Sequence, residues 1–431
     1  MDHRVLAHEM MLEYRDEVIR VVKDLIRFPS RNTPPNGEEK AAQEYIAAYL
    51  RQAGLPTEMY EPDTVPGLLE HPAFHPGRSY RDRPNVSALL PGRGDGRSLL
   101  LTGHIDTVAL GDNIWAHAPF EATIEGDKLY GLGAMDMKGP LGGIMVLMKA
   151  LAEKQVPLRG DLRFESVVDE EEGGVNATIA GRLREGTLDA ALIPEATDLK
   201  IYPAARGQLI TDFIFGSTKG TWLDVGKSAE QAADAVKQIG YFLSHLDELV
   251  EMRLKEAPAH PLYTSYPNPV PVQVTKVYAG GWGNQVPIAV PPEGRVELIM
   301  HVLPGEKRET VLEQRNRWLD SLLQRYPDVF LTRPEEVYRL RYMAPTEMAR
   351  DSALVHTLEQ AVTETVGQAP DVLGAPYACD MFALHQIFDM PGVIFGPSGA
   401  QAHANDEYID LPSLFQFWEA LCLFVLRWCE V

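Results

Sequence analysis

Cysteine is scarce: Cys379, Cys422 and Cys429 are the only three in 431 residues. Their number and spacing exclude a disulfide framework and a closed structural zinc cluster, and fit a reducing cytoplasm. Positive charge is also in deficit, with 40 Lys and Arg against 61 Asp and Glu and a formal net charge of −21. That balance argues against nucleic-acid phosphates or an anionic membrane as the main partner. Long apolar runs are missing too. Met1 to Glu17 alternates charged and apolar residues, so no secretory signal is expected there. The greasiest stretch, Leu414 to Trp428, is interrupted by Glu419 and Arg427. It falls short of the roughly 20 residues a bilayer needs and reads as a buried helix. No internal repeat or low-complexity tract stands out.

What is present is an alternation of helical and strand periodicity. Apolar residues recur at helical spacing over Asp16 to Phe28 and Glu38 to Ala53, and Ser98 to Thr102 reads as a short apolar strand. Helix Gly139 to Lys154, strand Asp161 to Val168, helix Asn176 to Arg184 and strand Asp189 to Ile193 follow. This order predicts an α/β fold whose mostly parallel twisted sheet is flanked by helices. After about Arg206 the texture changes: Gln208 to Phe215 and Val270 to Val277 read as strands, Ser228 to Lys255 and Glu306 to Tyr326 as long helices. An inserted α+β domain over 207–335 is expected, splitting the α/β domain into 1–206 and 336–431. The α/β pattern resumes with helix Ala353 to Val366, strand Gly392 to Phe395 and the final helix. The long loop Pro62 to Arg83 is expected to shape a pocket entrance.

Four polar clusters fall just beyond predicted strands, where open α/β sheets place ligand sites. His104 and Asp106 follow the first apolar strand; residues two apart on extended chain share a face, so His104 can bind a metal with Asp106 behind it. Asp136 lies in a glycine-laced loop, Gly131-Leu132-Gly133-Ala134-Met135-Asp136, that feeds a helix. It reads equally well as a helix cap or as a carboxylate between two cations. The run Asp169-Glu170-Glu171-Glu172 ends a buried strand, where like charges repel unless a cation compensates them. Glu195 follows the next strand, and His403 lies in a loop near the far end. Singly each is a turn, a cap or a solvated face; jointly they predict a site for two divalent ions.

Three carboxylates, Asp136, Glu171 and Glu195, with one hydroxide balance two such ions. Nitrogen and oxygen donors without thiolate suit zinc, with manganese or cobalt as substitutes. Adjacent residues point apart, so Glu170 can face a water while Glu171 faces a metal.

These clusters resemble those of the dinuclear zinc metallopeptidases and deacylases that include acetylornithine deacetylase, succinyl-diaminopimelate desuccinylase, aminoacylase and carboxypeptidase G. The resemblance covers nearly the whole chain and includes Arg83-Pro84-Asn85-Val86, Trp115 through Phe120, Asn284 with Val286-Pro287, and Leu303-Pro304-Gly305-Glu306. It implies a zinc-aminopeptidase-like catalytic domain with an inserted lid that often mediates dimerisation. By resemblance Asp136 bridges the metals, Glu171 and His403 complete one site, and His104 and Glu195 the other. Glu170 is then the general base, Asp106 the carboxylate supporting His104, and the peptide after Asp136 is cis. Asn284 and His301 are the substrate-binding candidates.

Three positions depart from the family pattern. Gly220 stands where the lid histidine is expected, His301 precedes Leu303-Pro304-Gly305 where an arginine is usual, and Leu132 replaces the arginine of Gly-Arg-Gly. The leading expectation is a cytoplasmic, homodimeric amidohydrolase cleaving an N-acyl, formyl, carbamoyl or peptide-like C–N bond of a small acylated amine or short peptide. The alternative is a metal-retaining relative that has lost hydrolysis and binds ligand.

Overall fold

The computed structural model describes residues 2–111, 114–218, 233–338 and 340–431. The chain divides into two compact units, Met1–Ala204 with Thr346–Ala375 and Cys379–Val431, and Ala205–Pro345 with Pro376–Ala378.

The first unit is α/β. At its centre Leu99–His104 lies between Leu162–Val167 and Ala191–Ile193, parallel to both, and Gly392–Ile394 extends the parallel run. The flanks turn antiparallel: Asn85–Leu90 and Thr57–Tyr60 on one side, Ile201–Ala205 on the other. The sheet is therefore mixed where the pattern predicts a mostly parallel one. Ser87 interrupts the apolar run of Asn85–Leu90, which hides that strand from a hydropathy reading.

Helices cover the sheet. His3–Ile26, Gly139–Glu153 and Leu411–Trp428 pack on one another, and Ala353–Val366 packs against the last of these. The first helix begins 13 residues before the predicted Asp16, capped by the Asp2 carboxylate accepting from the Arg4 amide. Its buried stripe already starts at Ala7, Met10 and Tyr14. Leu411–Trp428 is buried on nearly every side, which explains its apolar sequence, and no described helix is long and apolar enough to cross a membrane. All three cysteines are buried and unbridged.

A small antiparallel sheet, unforeseen in sequence because its strands hold only two or three residues, joins Thr123–Glu125, Lys128–Tyr130, Tyr408–Asp410 and Gly399–Ala400. It pairs Tyr130 with Tyr408, bringing the glycine-laced loop beside the loop of His403.

The second unit is a four-stranded antiparallel sheet, ordered Val272–Ala279, Glu293–Val302, Gly207–Gly216, Glu335–Tyr338. Phe213, Phe215, Phe242, Trp318 and Leu298 are among its core residues. The single helix expected over Ser228 to Lys255 is two, Ala235–Ser244 and Leu246–Glu256, and its first residues lie outside those described. The break falls at His245, whose carbonyl accepts from the Trp318 indole at 3.0 Å and whose ring meets the Tyr241 carbonyl at 2.8 Å. The His245 amide meets the Leu243 carbonyl instead of that of Tyr241, and the His245 carbonyl also accepts from the Glu248 amide at 3.2 Å and opens the second helix.

Candidate metal centre and active site

Every metal-ligand candidate lies in the first unit, at the carboxyl ends of its parallel strands or in the two loops joined by the small sheet. His104 ends Leu99–His104. Its Nδ1 meets the backbone carbonyl of Asp106 at 2.9 Å, which leaves Nε2 turned toward Asp136 Oδ1 at 3.1 Å and Glu195 Oε1 at 3.6 Å. Asp136 sits at a break in the helical turn where the Asp136–Met137 peptide is cis. Its other oxygen, Oδ2, is 3.3 Å from His403 Nε2, and that nitrogen is 2.9 Å from Glu171 Oε2. Asp136 thus lies between two imidazoles, each of which also meets a second carboxylate.

The acidic run divides its labour. Asp169, at φ 70°, turns into the scaffold, where Tyr80 donates to it at 2.7 Å and Arg78 and Arg83 lie at 3.4 and 3.7 Å. The Pro62 to Arg83 loop therefore carries buried residues that brace the acidic turn. Asp106 serves the same turn: its carboxylate accepts from the amides of Glu170 at 3.2 Å and Glu171 at 3.1 Å, and from Asn32 at 2.9 Å. Its Oδ1 is 3.7 Å from His104 Nδ1, so the backbone carbonyl of Asp106, rather than its carboxylate, orients the histidine. The Asp106 carboxylate thus braces the acidic loop through the amides of Glu170 and Glu171.

Charge in this cluster is unbalanced. Burial, and the Asp136 charge next, push Glu171 up to about 7, and the same two causes raise Glu195. Burial raises Glu170 well above the usual carboxylate range despite the pull of His104, and Asp380, Glu195 and Glu171 add to the rise. Burial pushes Asp136 the same way, but hydrogen bonds from His104 and His403 win and hold it far below the ordinary value. Burial opposes protonation of His104, and contacts with Asp136 and Glu195 overcome it. Anions crowd about two imidazoles, which is the environment that divalent cations relieve.

The spacing fits such ions. Two donors at about 2.0–2.1 Å from one tetrahedral zinc stand about 3.3 Å apart. The four nitrogen–oxygen separations, 2.9 to 3.6 Å, bracket that edge. His104, Asp136 and Glu171 also offer ligand atoms all within 4.8 Å of one another.

Two residues near the centre escape a sequence reading. Glu407 is buried and its carboxylate accepts from the amides of Gly133, Met135 and Asp136 at 2.7, 2.8 and 3.0 Å. Its partners are backbone amides, which leave no mark in the sequence. Asp380 is buried, accepts from the Thr178 hydroxyl, and leaves Oδ1 without a partner among the described residues. Burial pushes it up to about 7. An isolated acid after Cys379 carries no sequence signal.

The substrate-binding candidates belong to the second unit, whereas the cluster above is built by the first alone. Asn284 is exposed, and Gly220 lies outside the described residues. His301 is buried in Glu293–Val302, and burial with Arg206 nearby lowers it to about 4. It is neutral at pH 7 and cannot stand in for an arginine as a cation.

His301 also sets a pH dependence. An unfolded histidine titrates near 6.5 and this one near 4, so its stability contribution is complete above pH 6.5 and is lost as pH falls toward 4. Between pH 7 and pH 4.5 the full chain should lose roughly 2–3 kcal/mol more than His301→Gln, as read by denaturant unfolding. Equal losses in the two proteins would remove this assignment.

Comparison with known proteins identifies the family. Residues 100–427 match the model of peptidase family M20/M25/M40. N-formyl-4-amino-5-aminomethyl-2-methylpyrimidine deformylase of Halalkalibacterium halodurans is 25% identical over 448 residues, covering 99% of this chain and 97% of the relative. Succinyl-diaminopimelate desuccinylase of Methylobacterium radiotolerans is 31% identical over 223 residues, 50% of this chain and 51% of the relative. A di-peptidase structure from Saccharomyces cerevisiae superposes with a TM-score of 0.78 at 14% identity, with 100% of each chain covered, a likeness of fold. The matched stretch includes His104, the acidic turn and His403, and the chain belongs to peptidase family M20/M25/M40, metal-dependent hydrolases acting on amide bonds.

Proposed function

We propose that the centre holds two divalent metal ions, zinc with manganese or cobalt as substitutes, and hydrolyses the C–N bond of a small acylated amine. The observation that carries this reading is the position of Asp136 between His104 and His403, at 3.1 and 3.3 Å. Asp136 would be shared by both ions, His104 and Glu195 would complete one site, and Glu171 and His403 the other. When bound, the metals supply a water of lowered pKa and polarise the scissile carbonyl. Glu170 takes the proton of the attacking water and delivers it to the leaving nitrogen. Asp106 holds Glu170 and Glu171 at their amides, so the proton carrier and its neighbouring ligand keep opposite orientations. Asn284 and His301 are the side chains of the second unit proposed to contact substrate.

A formamide is the first substrate class to test, because the deformylase is matched along nearly its whole length. N-succinyl and other N-acyl amines, carbamoyl compounds and dipeptides follow. The test is hydrolysis of this panel by metal-loaded protein. Turnover of any member at ordinary enzyme rates supports the reading, and inactivity toward all of them sinks it.

The second unit is proposed as a lid and dimerisation domain. Its strand Val272–Ala279 lies at a sheet edge, with Val277 and Tyr278 more than half exposed. Sedimentation should show a dimer that Val277→Lys with Tyr278→Glu converts to folded monomer. A monomeric unaltered chain, or a dimer indifferent to these changes, would remove the assignment.

A further inference from the structure

Three backbone amides in one loop converge on a single carboxylate. Gly133, Met135 and Asp136 donate to Glu407 at 2.7, 2.8 and 3.0 Å, the first to Oε2 and the others to Oε1. The Gly131 amide adds a bond to the Glu407 backbone carbonyl at 3.0 Å. Successive amides turned to one side form an anion-binding concavity, and here the protein's own side chain fills it. The turn depends on glycine: Gly133 has φ 77°, and a Cβ there would lie 2.7 Å from Thr107 Cγ2. On its other flank the loop is fastened by Lys138, whose buried amine donates to the Phe28 carbonyl at 2.6 Å.

Glu407 also lies four residues beyond His403, directly before the strand Tyr408–Asp410 that pairs with Lys128–Tyr130. One carboxylate therefore links the loop that presents Asp136 to the loop that presents His403. We infer that Glu407 is a positioning residue that joins these two loops into one preformed ligand frame, so that both metal ions depend on it although it touches neither. This rests on the two-metal reading above and extends it to a residue with no place in the reaction. The protein's alternative use of Glu407, as a mere loop stabiliser, would lower thermal stability without altering the affinity of folded protein for metal.

Glu407→Gln separates the two. A glutamine keeps the size but turns an NH2 toward at least one amide donor, so the three bonds cannot all survive. The experiment titrates metal-free full chain with Co2+ against a competing chelator, follows the visible absorption of bound cobalt, and records the melting temperature of the metal-free protein. Expected is a 10- to 100-fold loss of affinity at both sites with an altered cobalt spectrum. Unchanged affinities and spectrum in folded Glu407→Gln overturn the inference, whatever its melting temperature. Loss at one site only overturns the joining of the loops. Should Glu407→Gln not fold, Glu407→Asp takes its place, since it keeps the charge but withdraws it by one methylene. Failure of the unaltered chain to take up two cobalt ions would sink the metal reading itself, and with it this inference.

Discussion

Replacing Glu170 by alanine should lower turnover by about 10²- to 10⁴-fold while both metal ions remain bound. The separation of roles follows from the acidic turn. Glu171 reaches His403 at 2.9 Å, whereas no such contact joins Glu170 to either histidine among the described hydrogen bonds and ion pairs. Its backbone amide, held by Asp106 Oδ1 at 3.2 Å, is untouched by the substitution, so the turn should keep its shape. Removing one acid from a buried group that includes Glu171, Glu195 and Asp380 also relieves like-charge repulsion. The metal-free variant should therefore be at least as stable as the unaltered chain. Glu170→Gln is the sharper companion, because it preserves size and loses only the ability to accept a proton. Turnover on the amide panel, with metal content of the same samples, decides the matter. Full turnover in either variant refutes the proton-carrying role, and loss of metal would show that Glu170 is a ligand.

Much of this centre is legible in the sequence because strand ends are legible. Leu99–His104 opens with three leucines and ends at a polar residue, Leu162–Val167 mixes apolar with polar residues and gives way after Val168 to the acidic run, and a parallel sheet places such ends on one edge. Asp169 through Glu172 reads as functional for the same reason: four acids finishing a buried strand need compensation. Their separate tasks are not legible. Asp169 turns toward Arg78, Arg83 and Tyr80 because its φ is positive, and a backbone angle leaves no trace in hydropathy.

Glu407 and Asp380 stay hidden for a related reason. Their partners are amides and a hydroxyl, which every stretch of chain can supply, so no spacing rule singles them out. The antiparallel flanks and the tiny sheet beneath Glu407 are likewise tertiary facts, settled by which short segments meet rather than by their own periodicity. The helix break at His245 belongs here too, since it depends on Trp318 from a distant helix.

Asp136→Ala is expected to have the widest effect of all. Each other candidate ligand serves one ion in the proposed arrangement, and its loss should leave the second site with most of its donors. Asp136 alone presents an oxygen to each imidazole, Oδ1 to His104 at 3.1 Å and Oδ2 to His403 at 3.3 Å. Without it His104 keeps Glu195 and His403 keeps Glu171, but each pair falls below the three protein ligands that catalytic zinc sites ordinarily use. Reconstituted Asp136→Ala should hold fewer than one tightly bound ion per chain and show no measurable hydrolysis, whereas Glu171→Ala should retain about one. The metal-induced rise in melting temperature should collapse with it, because that rise depends on metal affinity for the folded state. Metal analysis after exhaustive dialysis and melting curves with and without zinc supply both readings. Two ions retained by Asp136→Ala would mean that the carboxylate between the histidines is not the shared ligand, and the pairing of His104 with Glu195 and His403 with Glu171 would have to be drawn again.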